Sequence, residues 1–364
     1  MSSQVWRRQL EAICLPTGAV LFALVLFGGL CALAEANPFE VYALIYKAAF
    51  GSASRIQGTL ILAAPLMLSA LCTALPAKLG LVIIGNEGSL VLGGIAATIA
   101  GLTLAALPPA LVVLLMAIAG MVAGGLWIAL VGALRHYRGV NETISGLLMN
   151  YIAIALLNHL AEGPLRDPSY TSKPSSFPLL DANRLGEIPG TRVHWGLVYG
   201  LVTCAIAYLL IQRTTFGFAA RTAGGNIRAA RIAGLPVGQL TVAICFLAGS
   251  CTGLAGMVEV SAIHARLNAS LNADYGYSGI LVAFIARNNA LAVTLVAFLL
   301  GGILGSGGIL QRNYELPDAT ILVFQGILFL AILFSESLYG KIPFFKERTA
   351  PPPDRLQPQP QVTA

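Results

Sequence analysis

The chain has 364 residues, 57% of them hydrophobic and only 10% charged, with a formal net charge of +6 and a mean hydropathy of +0.78. A soluble domain carries about 25% charged residues, so this composition excludes a string of soluble domains and indicates a polytopic membrane protein. Glycine, at 39 residues, exceeds its usual ~7% share and suits helices that approach closely in lipid through small residues.

Residues 1–14 read as a short cytoplasmic N-terminus carrying Arg7 and Arg8. The apolar run from Leu15 to Ala34, with small residues around CALAEA, has the outline of a signal peptide. It is longer than the 7–15 residues of a signal-peptide core and reads as an uncleaved first span. Further uncharged runs at 56–76, 88–107, 110–134, 143–161, 195–212, 239–258, 288–311 and 319–335 are long enough for a hydrocarbon core ~30 Å thick. Pro108-Pro109 marks a tight turn between the second and third of these. The apolar stretch YGYSGILVAFIA, 275–286, would cover only about 18 Å as a helix and is the tenth segment. The expected fold is all-α and polytopic, with about ten membrane segments, some of them broken or short helices. The membrane domain covers 15–338, with long loops at 163–193 and 213–238, and a Pro-rich tail covers 339–364.

With the N-terminus inside, fourteen of the 22 Lys and Arg residues fall inside and eight outside, while acidic residues run six inside and ten outside. This bias places both termini in the cytoplasm. It also explains the basic balance, which therefore implies no nucleic acid. The outer loop 163–193 is Pro/Ser-rich, with little apolar content, and is expected to have no fold of its own. The inner loop 213–238 holds four arginines and no acid. The tail is expected to be disordered. The six cysteines lie singly in or beside apolar runs, without metal-ligand spacing, and read as small core hydrophobes.

Overlapping the start of the run 88–107, GNEGSLVLGG (85–94) contains Glu87, the only charged residue between Leu79 and Leu107. A helix over 79–107 would be about 43 Å long, more than the core needs. The chain is therefore expected to break near Gly85-Asn86-Glu87-Gly88 and restart as a helix at Ser89. Two compatible roles follow. Asn86 caps the helix and Glu87 faces the positive end of its dipole, or Asn86, Glu87 and Ser89 also line a solute pathway. In 140–160, Asn141 and Glu142 read as a helix cap. Asn150 and Asn158, eight residues apart, lie deeper on roughly one face, as interhelical hydrogen-bonding groups or pathway lining. Ser278 in the short segment is a further pathway candidate. Glu259, near an outer helix end, is expected at the surface.

LSALCTALPA (68–77) and AGSCTGLAG (248–256) share Cys-Thr-x-Leu and precede the two interrupted segments. They run in opposite directions, as in an inverted repeat, and interrupted segments at matching positions of two halves point to a transport pathway. In the inner loop, GGNIRAARIAGLP reads as a short helix, about 226–233, stopped by Gly234 and Pro236. Ala229 and Ala230 make it narrow enough to sit in a groove. Arg228 and Arg231 share a face and can pair with carboxylates of a soluble partner, or rest on anionic membrane lipid.

The chain contains no G-x-x-x-x-G-K-[ST] phosphate loop, no H-E-x-x-H and no G-x-S-x-G, so neither ATP hydrolysis nor a catalytic constellation is written in it. An ion-coupled secondary transporter is the rival class, but such proteins place several ionisable groups in mid-membrane, and here Glu87 is almost alone.

TTFGFAARTAGGNIRAARIAGLPVG, GNEGSLVLGGIAAT, GVNETISGLLMNYIA and SGILVAFIARNN resemble permease subunits of bacterial ABC importers in the branched-chain amino acid/ribose permease superfamily. The likeness is nearest to the nucleoside and simple-sugar branch and covers roughly 15–338. It implies a multi-pass protein of the bacterial inner membrane that forms the pathway for a small polar solute, a nucleoside first and a simple sugar as the alternative. It implies no enzyme and no cofactor bound by this chain, because a separate ATPase subunit hydrolyses ATP with Mg. The other implied partners are a second, distinct permease chain and an extracytoplasmic solute-binding lipoprotein. The loop 213–238 matches the family's ATPase-coupling region, which carries that role onto Arg221, Asn226, Arg228, Ala229, Ala230, Arg231 and Gly234. In that branch the motif around Glu87 reads close to Asn-Ile-Gly-Ala-Glu-Gly-Gln. Here Ile83, Asn86 and Ser89 stand at its first, fourth and last positions, departures that bear on the identity of the substrate.

Overall fold

A computed structural model describes residues 3–170, 173–314, 316–317 and 319–338, so the tail 339–364 and its basic residues lie outside the described residues. In chain order the helices are α1 (Ser3–Leu33), α2 (Pro38–Phe50), α3 (Ala53–Ala74), α4 (Asn86–Thr103), α5 (Pro109–Arg138), α6 (Glu142–Glu162), α7 (Gly196–Arg213), α8 (Thr215–Gly225), α9 (Ile227–Ile232), α10 (Val237–Val258), α11 (Tyr275–Ile285), α12 (Ala290–Gly305), α13 (Gly307–Tyr314) and α14 (Ala319–Leu338). Isolated bridges are the only β pairing among the described residues.

All ten apolar runs are helical, so the all-α polytopic reading holds, but ten is not a count of full crossings. Six described helical stretches are long and apolar enough to cross a membrane, and seven if α1 and α2 form one bent span. The difference lies in α4, α11 and α14, which are shorter or more polar. The thirteen-residue α2 is an element that its sequence hides, because Glu40 and Lys47 interrupt its apolar pattern. Asn37 caps it by accepting from the Phe39 amide.

The chain divides into two compact units. One comprises the residues up to Phe27 with those from Ile327 onward; its buried positions include Ala23, Phe27, Leu328 and Ile332. The other, Gly28–Gly326, carries the broken helices. Within it, α4 follows α3 in sequence yet packs on α5 and α10, while α11 follows α10 yet packs on α3. This exchange is the arrangement an inverted repeat produces.

Glycines let α4, α5 and α10 meet backbone to backbone. A Cβ at Gly253 would overlap the Gly120 carbonyl, one at Gly249 the Gly124 carbonyl, and one at Gly256 the Leu90 carbonyl. The glycine excess thus has a specific location, the seam where close approach replaces side-chain interdigitation.

In the loop 163–193, expected to be without a fold, the described residues are held by backbone pairing. Its Leu179 and Leu185 reach the core shared with Leu90, Met116 and Leu267. Arg166 pairs with Ser176, and Ser175 pairs with Asn268 of the α10–α11 connection. Sparse leucines and backbone bonds do the holding here, so no periodic pattern announces it.

Candidate functional site

The break before α4 is six residues long, Gly80 to Gly85, beginning with a left-handed Gly80 (φ 74°). Buried backbone without helical partners must find others, and side chains of α3 and α6 supply them. Thr73 Oγ1 donates to the Ile83 carbonyl at 3.3 Å, and Thr143 Oγ1 to the Val82 carbonyl at 2.8 Å. The Val82 amide donates to Glu142 Oε1 at 3.4 Å, while Glu142 Oε2 lies 3.1 Å from Arg135 Nε. Asn150 Nδ2 donates to the Ile84 carbonyl at 2.8 Å. Glu142 therefore stitches the break in addition to sitting at the start of α6.

Helix α4 starts at Asn86, three residues earlier than its glycines suggest, and its cap residue, Gly85, offers no side chain. Asn86 is thus a helical residue and caps nothing: its Nδ2 donates to the Ser69 carbonyl at 3.1 Å and lies 2.9 Å from Thr73 Oγ1. Capping comes from another helix, because Asn150 Oδ1 accepts from the Gly88 amide at 2.8 Å. A Cβ at Gly88 would sit 2.9 Å from that oxygen, which accounts for glycine there. The Asn150 amide nitrogen also reaches Tyr277 Oη at 3.3 Å.

Helix α11 has the same defect and the same remedy. Its cap residue Asp274 is left-handed (φ 60°) and makes no side-chain cap bond. Glu87 supplies it from 187 residues away: Oε1 accepts from the Asp274 amide at 3.2 Å and Oε2 from the Gly276 amide at 2.6 Å. Glu87 is 0% exposed and lies in the first turn of α4. One carboxylate therefore faces the positive ends of two helix dipoles at once, an arrangement that offsets the cost of its burial. A side chain at position 276 would overlap the Glu87 backbone, so the glycine is required by the cap.

The pathway candidates divide accordingly. Asn86, Glu87, Asn150 and Ser278 gather around the two helix starts; Ser278 Oγ lies 3.2 Å from Gln325 Oε1 in α14. Ser89, one turn on, instead places its hydroxyl 3.2 Å from the Gly124 carbonyl and 3.0 Å from that of Gly249. Asn158 is two turns from Asn150 and only half-buried, outside this cluster. Glu259, expected at the surface, is buried at 2% exposure. A π-helical turn over Glu259–His264 carries it inward, 3.7 Å from His264 Nε2. Gln325 is the residue that sequence reasoning missed; its signal was a lone amide in an apolar helix.

The loop between α7 and α10 folds as α8 and α9. Asn226 caps α9 by accepting from the Arg228 and Ala229 amides, each at 3.0 Å, and the chain leaves through a left-handed Gly234 (φ 78°). Arg221 turns back to the Ile211 carbonyl and Gln212, clamping α8 to the end of α7. Ala230 is fully buried against its own chain, so the alanine face expected to enter a partner's groove is half consumed internally. Arg228, Ala229 and Arg231 are exposed, and Ile232 is 89% exposed. Helix α8 rests on the turn at 76–79, where a Cβ at Gly224 would overlap the Lys78 carbonyl. A cavity of about 250 Å³ separates α9 from the start of the break, lined by Leu79, Arg135, His136 and Arg231 among others.

On the opposite connection, Asp167 Oδ2 pairs with Arg266 Nη1 at 3.2 Å, and the guanidinium lies 4.5 Å from the centre of the Tyr170 ring. The Ser169 hydroxyl and amide, with Arg266, hold the Asp167 carboxyl below the usual carboxylate range.

A family described as the permease component of the branched-chain amino acid transport system matches residues 55–333. Among similar proteins, the glucose ABC transporter permease protein TsgB13 of Haloferax volcanii is 30% identical over 88% of this chain and 87% of its own. The guanosine ABC transporter permease protein NupP of Bacillus subtilis is 30% identical, over 92% and 95% respectively. The nucleoside ABC transporter permease protein NupB of Lactococcus lactis is 28% identical, over 88% and 91%. With broken helices capped by side chains of other helices and a family match across most of its length, the chain belongs to the branched-chain amino acid transport system permease family.

Proposed function

We propose that this chain is the membrane-spanning permease subunit of an ABC importer for nucleosides. The observation that carries it is the meeting of the α4 and α11 N-termini at Glu87, since paired interrupted helices mark solute pathways. Two of the relatives are named for guanosine and for nucleosides, which favours that substrate class; the glucose permease makes a simple sugar the competing solute. Family membership displaces the ion-coupled alternative. In this reading the protein is no enzyme and binds no cofactor, and an ATPase subunit hydrolyses ATP with Mg. A distinct second permease chain and a solute-binding lipoprotein complete the importer in a bacterial inner membrane, with both termini cytoplasmic. Asn86, Glu87, Ser89, Asn150, Asn158 and Ser278 are the proposed pathway residues. Uptake of labelled purine and pyrimidine nucleosides, pentoses and glucose should be compared in cells with and without the gene. Loss of nucleoside uptake alone is expected. A selective loss of glucose uptake would transfer the chain to sugars, and no loss of any solute would sink the reading.

Coupling to the ATPase runs, in the same proposal, through α8 and α9. The groups open to a partner are Arg228, Arg231, Ile227 and Ile232. Movement there reaches the break because α8 rests on the turn at Lys78. Burying an isoleucine contributes roughly 1.5–3 kcal/mol, and each 1.4 kcal/mol is about tenfold in affinity. Ile232→Asp is therefore expected to leave membrane abundance unchanged and weaken ATPase co-purification by about tenfold or more. Retention of the ATPase at the wild-type level would remove α9 from the interface.

A further inference from the structure

The connection from α10 to α11 sends Leu267 and Leu271 into the core and takes its cross-segment backbone bonds from the long loop. After the π-helical turn and a left-handed Ala265 (φ 55°), the Ser176 amide donates to the Leu267 carbonyl at 2.9 Å, and the Leu179 amide to the Ala265 carbonyl at 2.9 Å. The Leu267 amide returns a bond to Ser176 Oγ at 2.9 Å. Lys173 Nζ reaches Ser270 Oγ at 3.2 Å, and the Asp167–Arg266 pair, with Tyr170 against the guanidinium, closes the set. At its far end the same connection delivers Asp274 and Gly276 to the Glu87 carboxylate. Helix α11 is only eleven residues long, about 16 Å, and begins at a left-handed cap, while the connection that leads to it begins at a π turn. Such π turns recur at functional sites.

We propose that residues 163–170 and 173–179 move together with 265–274 as a strap that sets the position of α11, with Asp167 and Arg266 as its positioning residues. Displacement of the long loop is then transmitted through the paired backbones to the start of α11, and through Glu87 to α4. The proposal rests on the permease reading, in which this loop faces outside the cell and some movement of α11 accompanies transport. Uptake lost on gene deletion tests that reading by itself.

Ser175 and Asn268 form an isolated antiparallel bridge. Such pairs have Cα atoms about 4.5–5.5 Å apart, within disulfide reach. In the full importer, the pair Ser175→Cys/Asn268→Cys is expected to transport at the wild-type rate whether oxidised or reduced, because the two segments do not part. Asp167→Ala is expected to lower uptake about tenfold, the scale of a lost charge-assisted bond, at unchanged abundance and basal ATP hydrolysis. Oxidising the cysteine pair in the Asp167→Ala background should restore uptake, and reduction should remove it again. Block of uptake by the oxidised pair alone would show that loop and connection separate, overturning the strap. Wild-type uptake by Asp167→Ala, or a deficit that the cross-link does not repair, would overturn it equally.

Discussion

Glu87→Leu is expected to abolish uptake and reduce the folded protein in the membrane, whereas Glu87→Gln retains a measurable part of both. Leucine leaves two amides at the start of α11 without an acceptor, that of Gly276 buried and that of Asp274 partly buried, since Asp274 makes no side-chain cap bond. Each orphaned buried donor costs roughly 1–3 kcal/mol, and the loss of the negative charge between two helix N-termini adds to this. Glutamine keeps one carbonyl acceptor but presents its amino group to the other N–H, so it restores one bond of two. Uptake normalised to membrane abundance separates the outcomes. If Glu87→Leu transports like wild type at equal abundance, the capping of α11 by Glu87 is irrelevant to function.

Gly253→Leu is expected to be as damaging for a purely steric reason. Even a methyl there would overlap the Gly120 carbonyl and lie 3.1 Å from the Gly124 Cα. Overpacking costs about 1–3 kcal/mol and occasionally more, and here the obstruction is the backbone of α5, which no rotamer change relieves. The α5–α10 seam must open, and the Ser89 contacts to Gly124 and Gly249 open with it. Gly58→Ala is the control, because a Cβ at Gly58 in α3 meets nothing within 4 Å. Thermal midpoints in lipid nanodiscs should fall sharply for Gly253→Leu and stay within error for Gly58→Ala. Equal midpoints for the two variants would contradict the close approach of these helices.

The break at Glu87 was legible because two local facts conflict: a run too long to cross once, and a carboxylate amid glycines within it. The stop of α9 was equally local, resting on Asn226 before the helix and Gly234 after it. What the sequence could not disclose is pairing at a distance. Nothing near Glu87 announces that its partners are the amides of residues 274 and 276, and nothing near Asn150 announces a cap for α4. Local spacing therefore picked out Asn86, Glu87 and Asn150, which do lie beside the break, while misassigning Asn86 as a cap and Glu142 as a terminal group only. Burial failed for the same reason at Glu259, turned inward by a π turn, and at Ala230, in a six-residue helix too short to show a periodic face.

The long separation between Glu87 and its partners also bears on how the protein is made. The break at 80–85 needs Glu142, Thr143 and Asn150, which are synthesised some sixty residues later, and Glu87 waits for residues 187 and 189 positions downstream. At roughly 5–20 residues per second, that last wait is about 10–40 s. The unpaired backbone of the break cannot rest in hydrocarbon until Asn150 has emerged, and the Glu87 carboxylate meets its amides only when α11 arrives. The start of α4 therefore acquires its full set of partners only after the ribosome has delivered α11.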